Sequence, residues 1–224
     1  MRDLKGDKLK IKLLILSLLF TISLSAQDFW WWDSDADVTQ PAGEIDTLIV
    51  TAYADGRYSL DGGNLDSTSI VFYLNYNSSL RGAYFMFDVS AVDWAGKTIL
   101  SAIPEWRVAV TRSDMFKVEI SANDTIDPAL PVSGSDLIAR AKTTARVTYE
   151  KTDSDSWSSG SAKTMPDIST ILQERIDKDG NNFGKLLLLI EGQDALTGHQ
   201  DGRSLENSNN PKSITIPIIY EYTP

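Results

Sequence analysis

The sequence predicts an all-β protein: an antiparallel β-sandwich, of jelly-roll type, with one short helix. Three observations predict it. Short segments of alternating or wholly apolar character recur along most of the 224 residues, the turns between them are rich in Gly, Asn, Asp and Ser, and strands do not alternate with helices.

The chain opens on a basic stretch over residues 2–12, an apolar run over 13–22, and the small residues Ser23-Leu24-Ser25-Ala26 ahead of Gln27. That three-part order reads as a secretory signal, residues 1–26, cut after Ser25 or Ala26. The apolar run is shorter than the roughly 20 residues a membrane-spanning helix needs, so the processed chain is expected not to span a membrane. Its expected location is secreted, cell-surface or periplasmic, with no cysteine for a lipid anchor. Residues 27–45 hold three adjacent tryptophans, Trp30, Trp31 and Trp32, and a Pro/Gly-terminated acidic stretch without helix or strand period. They read as a linker or arm, and the module itself occupies residues 46–224.

Eight segments carry strand character: 47–53, 69–76, 83–89, 106–111, 116–120, 145–150, 185–191 and 213–222. In the second, Ile70, Phe72 and Leu74 share one side; in the fourth, Trp106, Val108 and Val110 oppose Arg107, Ala109 and Thr111. The run Leu186–Ile190 is apolar on both faces, as a central strand covered on both sides requires. Over residues 165–176, Ile168, Ile171, Leu172 and Ile176 follow helical spacing, with Pro166 and Asp167 as start signals.

Composition removes whole classes of function. The net charge is −10, and residues 1–26 carry five basic and two acidic side chains, so the remainder is more acidic still. Such a chain repels nucleic-acid phosphates and anionic lipid. Without cysteine there is no disulfide, thiolate nucleophile or Cys-ligated zinc. His199 is the only histidine, no Gly-x-Ser-x-Gly elbow accompanies it, and it reads as a surface-loop residue. No polysaccharide-lyase strand motif is present, and a glycosidase carboxylate pair is neither supported nor removed by the count of acids. The expectation is a protein that is not an enzyme.

Two segments have ligand types at alternate positions, as calcium loops do. Asp177-Lys178-Asp179-Gly180-Asn181 lacks the glycine and the final glutamate. Asp33, Asp35 and Asp37 with Glu44 have Val38 at the glycine position and Pro41 within. A structural Ca2+ is compatible with this composition; no cofactor is required.

Sugar recognition needs flat aromatic faces and polar rims. Trp94, Trp106, Trp157, Tyr73, Tyr84 and Tyr149 are the aromatic candidates. Trp157 stands out because its loop, residues 152–161, has no other large apolar residue to bury it. Arg57, Arg81, Arg107, Arg146 and Lys117 lie in or beside strands, where several on one face would make a groove for an anionic polysaccharide. The alternative for each is a solvated face or a carboxylate partner. The ligand-binding set expected is Trp157, Trp106, Tyr73, Arg81, Arg107 and Arg57.

Arg81-Gly-Ala-Tyr-Phe-Met-Phe-Asp-Val-Ser90, followed by Ile99-Leu-Ser-Ala102, resembles the opening signature of DNRLRE-type domains. These are extracellular jelly-roll modules that include alginate-binding carbohydrate modules. Asp167-Ile-Ser169, Gln173-Glu174, Asn181-Asn-Phe-Gly184 and Ser204-Leu-Glu206 follow in the family's order, so the resemblance spans residues 46–223. It implies a short helix packed over the sandwich and structural roles for the Phe-Asp-x-Ser and Ser-x-Glu segments, with Glu206 a further cation candidate. Departures fall at Asn64-Leu65-Asp66, at Arg175 where the family has tryptophan, and at Pro104.

The function expected is a secreted, non-catalytic module binding a polysaccharide, an acidic, alginate-like one by the resemblance. The rival is a structural or adhesive assembly subunit with a protein partner reached through Trp30, Trp31 and Trp32, since three adjacent exposed tryptophans favour burial against a partner. Sugar binding predicts aromatics with a basic rim on one face, assembly an apolar arm docked on a neighbour, and an enzyme two facing acids in a cleft.

Overall fold

The computed structural model describes residues 43–69, 71–74, 81–152, 156–193, 198–207 and 213–223. Residues 1–42, with the predicted signal, Trp30 to Trp32 and Asp33, Asp35 and Asp37, lie outside the described residues.

In chain order the strands begin with β1 (Glu44–Thr51), β2 (Ala54–Ser59), the two-residue β3 (Leu65–Asp66), β4 (Val71–Leu74) and β5 (Arg81–Asp88). Then come β6 (Thr98–Ala102), β7 (Glu105–Arg107) and β8 (Phe116–Ala122), and, after helix α1 (Gly134–Ala139), β9 (Val147–Lys151) and β10 (Ala162–Thr164). Helix α2 (Ser169–Asp179) and a 3-10 turn (Gly180–Asn182) lead into β11 (Lys185–Gly192), β12 (Gln200–Arg203) and β13 (Ile214–Tyr222).

The pairing is nested. β1 pairs with β13, β5 with β11, β7 with β10 and β8 with β9, all antiparallel. The chain is therefore one long double ribbon whose tip is the β8–β9 connection. Rolled up, the ribbon places successive pairs in opposite sheets: β1-β13-β7-β10, with β6 also on β13, and β3-β2-β5-β11-β8-β9. That is the connectivity of a jelly roll, so the expected fold class is the observed one. β4 and β12 form a third, two-stranded sheet. They lie on the two connections between the first two ribbon pairs, where the ribbon crosses from one sheet to the other.

The core lies between the sheets, built from inward residues such as Val50, Phe85, Phe87, Val118, Ile120, Leu188, Ile216 and Ile218. β11 fulfils the expectation of a central strand: it is flanked by β5 and β8, and Leu186 to Ile190 are all buried. Its outward residues Leu187 and Leu189 join Tyr58, Tyr84, Met86 and Leu137 in a second cluster.

Leu137 belongs to α1, so the expectation of a single helix is corrected to two. α1 has six residues, too few for a readable apolar period. It is fixed by Ser133, whose hydroxyl accepts the Asp136 N–H, and by the left-handed Gly63, where any Cβ would strike Ser135. α2 buries the predicted Ile168, Ile171, Leu172 and Ile176 in the main core. It begins at Ser169, whose N–H donates to Asp167 at 2.7 Å; the same carboxylate accepts the Ala102 N–H at 3.0 Å, so the start signal also anchors the helix to β6. Arg175 is buried and paired with Asp179 and Asp124. Asp179 is thereby engaged in an ion pair under the helix.

Candidate functional site

On β2 the side chains alternate between the two faces of the sheet. Arg57 stands opposite Ala83 of β5, and Ser59 opposite Arg81, so Arg57 and Arg81 are diagonal neighbours on one face. It is the inner face, because Ala83 and Phe85 of the same β5 row belong to the main core. The apolar row on β5 thus ends in an arginine where the sandwich opens.

There Arg57, Asn64, Leu65, Asp66, Tyr73 and Arg81 line a pocket of about 240 Å3. Three of the six residues expected from sequence, Arg57, Arg81 and Tyr73, come together in it, from three different strands. Arg57 is the best-defined group. Its Nε and an Nη donate to the same oxygen of Asp66, at 3.1 and 2.9 Å, and its guanidinium carbon lies 4.5 Å from the centroid of the Tyr73 ring. Burial alone would raise the Asp66 carboxyl, but hydrogen bonds from Thr68 and Arg57 outweigh it and hold its pKa below the usual value. Two guanidiniums, a carboxylate and the Asn64 amide around one cavity suit a ligand carrying both an anionic group and hydroxyls.

Behind Tyr73, across the β4–β12 pairing, the His199 ring meets it edge-on at 5.6 Å. His199 is 6% exposed, which corrects the surface-loop reading: the loop before Phe116 covers it, with Asp114 3.8 Å from Nδ1, and Asp201 lies 3.6 Å from Nε2. Burial holds its pKa below the ordinary histidine value in spite of the two carboxylates. Asp201 pairs with Arg112 at 2.7 Å. Gly202 on the same strand leaves space for the Phe72 ring, which a Cβ would strike at 2.0 Å.

The other expected residues lie elsewhere. Trp106 is 1% exposed and packed with Phe72 and Trp157; it is core and presents no face to a ligand. Trp157 is half-buried, correcting the expectation that its loop leaves it without neighbours. They come from other strands: Trp106 on one sheet, Phe116 and Tyr149 on the other. Trp157 therefore plugs the sandwich where the edge strands β9 and β10 meet, with the Lys163 ammonium 4.6 Å above its ring. Arg107 pairs with Glu105 at 3.0 Å and lies in the opposite sheet from Arg57. Arg146 and Lys117 pair with Glu119 and Glu150. Trp94 and Tyr84 are buried.

Sequence reasoning missed Asn64 and Asp66 as pocket residues. It also missed Asp55. This residue, two before Arg57 on the same face, is 3% exposed, and burial beside Glu206 pushes its pKa up to about 6. Among the described residues no three Asp, Glu or His side chains cluster as a metal site, and no helix is long and apolar enough to cross a membrane.

No family model matches the chain, and no curated protein matches it. One solved structure that it resembles is a cryo-EM structure of Mud crab tombus-like virus, over 89% of this chain and 90% of that chain, at 9% identity and a TM-score of 0.32. A likeness that weak adds nothing to the connectivity described above.

Proposed function

We propose that this protein is an exported, non-catalytic module that binds an acidic polysaccharide, and that the pocket between Arg57, Arg81 and Tyr73 receives an anionic sugar unit. One observation carries the reading: three residues chosen from the sequence for anionic-glycan binding converge on a single cavity at the open end of a jelly roll. The cavity is smaller than the roughly 300–1,000 Å3 of drug-sized ligand sites, which fits one unit of a longer chain. The resemblance to DNRLRE-type modules favours the same ligand class. Because Arg57 already lies over the Tyr73 ring, recognition here works through charge and hydrogen bonds more than through stacking on a bare aromatic face.

The test is affinity electrophoresis of residues 27–224 through gels containing alginate, other uronate-rich glycans and neutral glycans. Retardation by uronate-rich glycans alone, abolished by Arg81→Ala and by Arg57→Ala, supports the reading. Unchanged mobility in every gel overturns it.

A second reading, a structural or adhesive assembly subunit, is favoured by β1. Among the described residues only β13 pairs with this eight-residue strand, and its alternate residues Ile45 and Ile49 are 66% and 67% exposed. A long edge with apolar residues is a template for pairing with another chain. Sedimentation of the same protein separates the two, since assembly requires concentration-dependent association without glycan.

A further inference from the structure

The two large sheets end in β1 and β10, and in β3 and β9. β3 has two residues, β10 three and β9 five, the last of these closing on Glu150 and Lys151. The free side of β6 meets α2, whose Gln173 side chain accepts the Ile99 N–H at 2.7 Å. Shortness, lysine and a covering helix are usual protections of a sheet edge, and among the described residues β1 has none of them. It runs for eight residues without lysine, arginine or proline, and its pairing with β13 is unbroken from Glu44 to Thr51. Its two acids, Glu44 and Asp46, accept the hydroxyls of Tyr222 and Tyr220 on β13 at 2.7 and 3.2 Å.

In an antiparallel pair, alternate residues turn both N–H and C=O towards the same neighbour. Ala52, one step past β1, donates its N–H to the Ile214 carbonyl at 3.0 Å. In the same register the even-numbered residues of β1 face β13, so Ile45, Thr47, Ile49 and Thr51 present their main-chain groups to the open side. The Thr47 N–H agrees: the Asp46 side chain takes it at 2.7 Å, where a strand would otherwise. The side chains of the same four residues are all exposed, whereas Val50 is buried and Leu48 half-buried.

We propose that β1 pairs antiparallel with β1 of a second copy of this chain, about a two-fold axis at Thr47. A two-fold interface is self-complementary: where one residue meets another, the reverse contact also forms. Such a strand needs an outward row that is symmetric in chemical type about its centre, and Ile45, Thr47 and Ile49 make one. In this register Ile45 lies opposite Ile49 of the second copy and Thr47 opposite its Thr47, while Asp46 meets Leu48 and Glu44 meets Val50. Both isoleucines gain an apolar cross-strand neighbour, the outward main-chain groups of Ile45, Thr47 and Ile49 find partners, and no acid stands directly opposite an acid. Other registers set isoleucine against threonine or carry one isoleucine past the end of the strand. The result is one sheet continuous through both copies. This pairing names the partner in the assembly reading, on which it rests, and involves neither the arginine pocket nor a glycan.

The experiment is sedimentation velocity of residues 27–224 from micromolar to millimolar concentration, without glycan, for the unmodified protein, Ile45→Lys, Ile49→Glu and the two substitutions together. Each single substitution sets a charge against an isoleucine twice per dimer and should weaken association about tenfold. The double variant sets each lysine against a glutamate of the other copy and should restore most of the loss. Within one chain the two positions lie four residues apart on a strand, about 13 Å, so recovery cannot come from a pair inside one copy. The chain has no cysteine, so Thr47→Cys adds a single thiol, and a hydrogen-bonded antiparallel pair holds its Cα atoms about 5.5 Å apart, within disulfide range. With oxidised glutathione, Thr47→Cys should give a disulfide-linked dimer and Thr51→Cys should not. Association that survives both single substitutions overturns the pairing and leaves assembly through another surface, as through Trp30 to Trp32. A double variant no better than the singles, or equal cross-linking at 47 and 51, also overturns it. A protein that stays monomeric at millimolar concentration overturns the pairing and the assembly reading together.

Discussion

The guanidinium of Arg57 lies 4.5 Å from the ring centroid of Tyr73 while two of its nitrogens bond Asp66. The ring holds the cation in place, and the carboxylate balances part of its charge. Tyr73 therefore positions the arginine. A cation over an aromatic ring is worth about 0.5–2 kcal/mol, and each 1.4 kcal/mol is tenfold in affinity. Tyr73→Phe should leave glycan retardation almost unchanged and Tyr73→Ala should weaken it by about two- to twentyfold, measured in the same gels. Equal loss in both variants would show that the hydroxyl touches the ligand.

Binding that rests on two arginines in an acidic protein should be salt-sensitive, since exposed charges are screened beyond about 10 Å at 0.1 M salt. Retardation by uronate-rich glycan should fall steadily between low salt and about 0.5 M NaCl. Retardation that holds through that range would point to an apolar mode instead.

Trp157 sits between two sheets, so its loss should be read in stability. Truncating a buried aromatic to alanine costs about 3–5 kcal/mol, and a half-buried one costs less. Trp157→Ala should lower the unfolding free energy by about 2 kcal/mol on that scale, measured by urea titration, and leave glycan retardation of the folded fraction intact. Loss of binding at unchanged stability would restore Trp157 as a sugar platform.

Under α1 the Glu191 carboxylate accepts bonds from Tyr58 at 2.8 Å and from Lys142 at 2.7 and 2.6 Å. Removing one partner of a buried pair costs about 3–5 kcal/mol, whereas replacing both is often neutral. Lys142→Met alone should destabilise by about 3 kcal/mol, and Lys142→Met with Glu191→Gln should recover most of it in denaturant melts.

His199 gives a pH dependence with a definite sign. Its folded pKa lies below 6.5, so near and below 6.5 the unfolded chain binds the proton more readily. The contribution of His199 to stability is complete above that pH and is lost as pH falls through the histidine range. The raised Asp55 works in the opposite direction, so the comparison must be between variants. His199→Gln should lose less stability than the unmodified protein on going from pH 7.5 to 5.5, measured by Tm.

Much of the fold was legible in the sequence because its signal is periodic. Phe85, Phe87, Val118, Ile120, Ile216 and Ile218 bury as alternation requires, and Ile168, Ile171, Leu172 and Ile176, selected by helical spacing, are buried at α2. The elements left unread are short, polar or both: β2 as Ala-Asp-Gly-Arg-Tyr-Ser, β3 with two residues, β6 with five, β10 with three, β12 as Gln-Asp-Gly-Arg, and α1 with six.

The site divides in the same way. The order of residues along the chain settles the kinds of side chain available, the arginines within strands and the absence of thiol chemistry, together with the jelly-roll class. Which of them meet depends on the folded arrangement of the strands. Arg57, Asp66, Tyr73 and Arg81 become neighbours because β2, β3, β4 and β5 stack across a rolled ribbon. Trp106 and Trp157 become interior because the closing edges of the two sheets leave a space that only large rings fill. Pattern along the chain reports which face a residue presents, and contacts between distant strands depend on how the ribbon rolls, which no local spacing encodes.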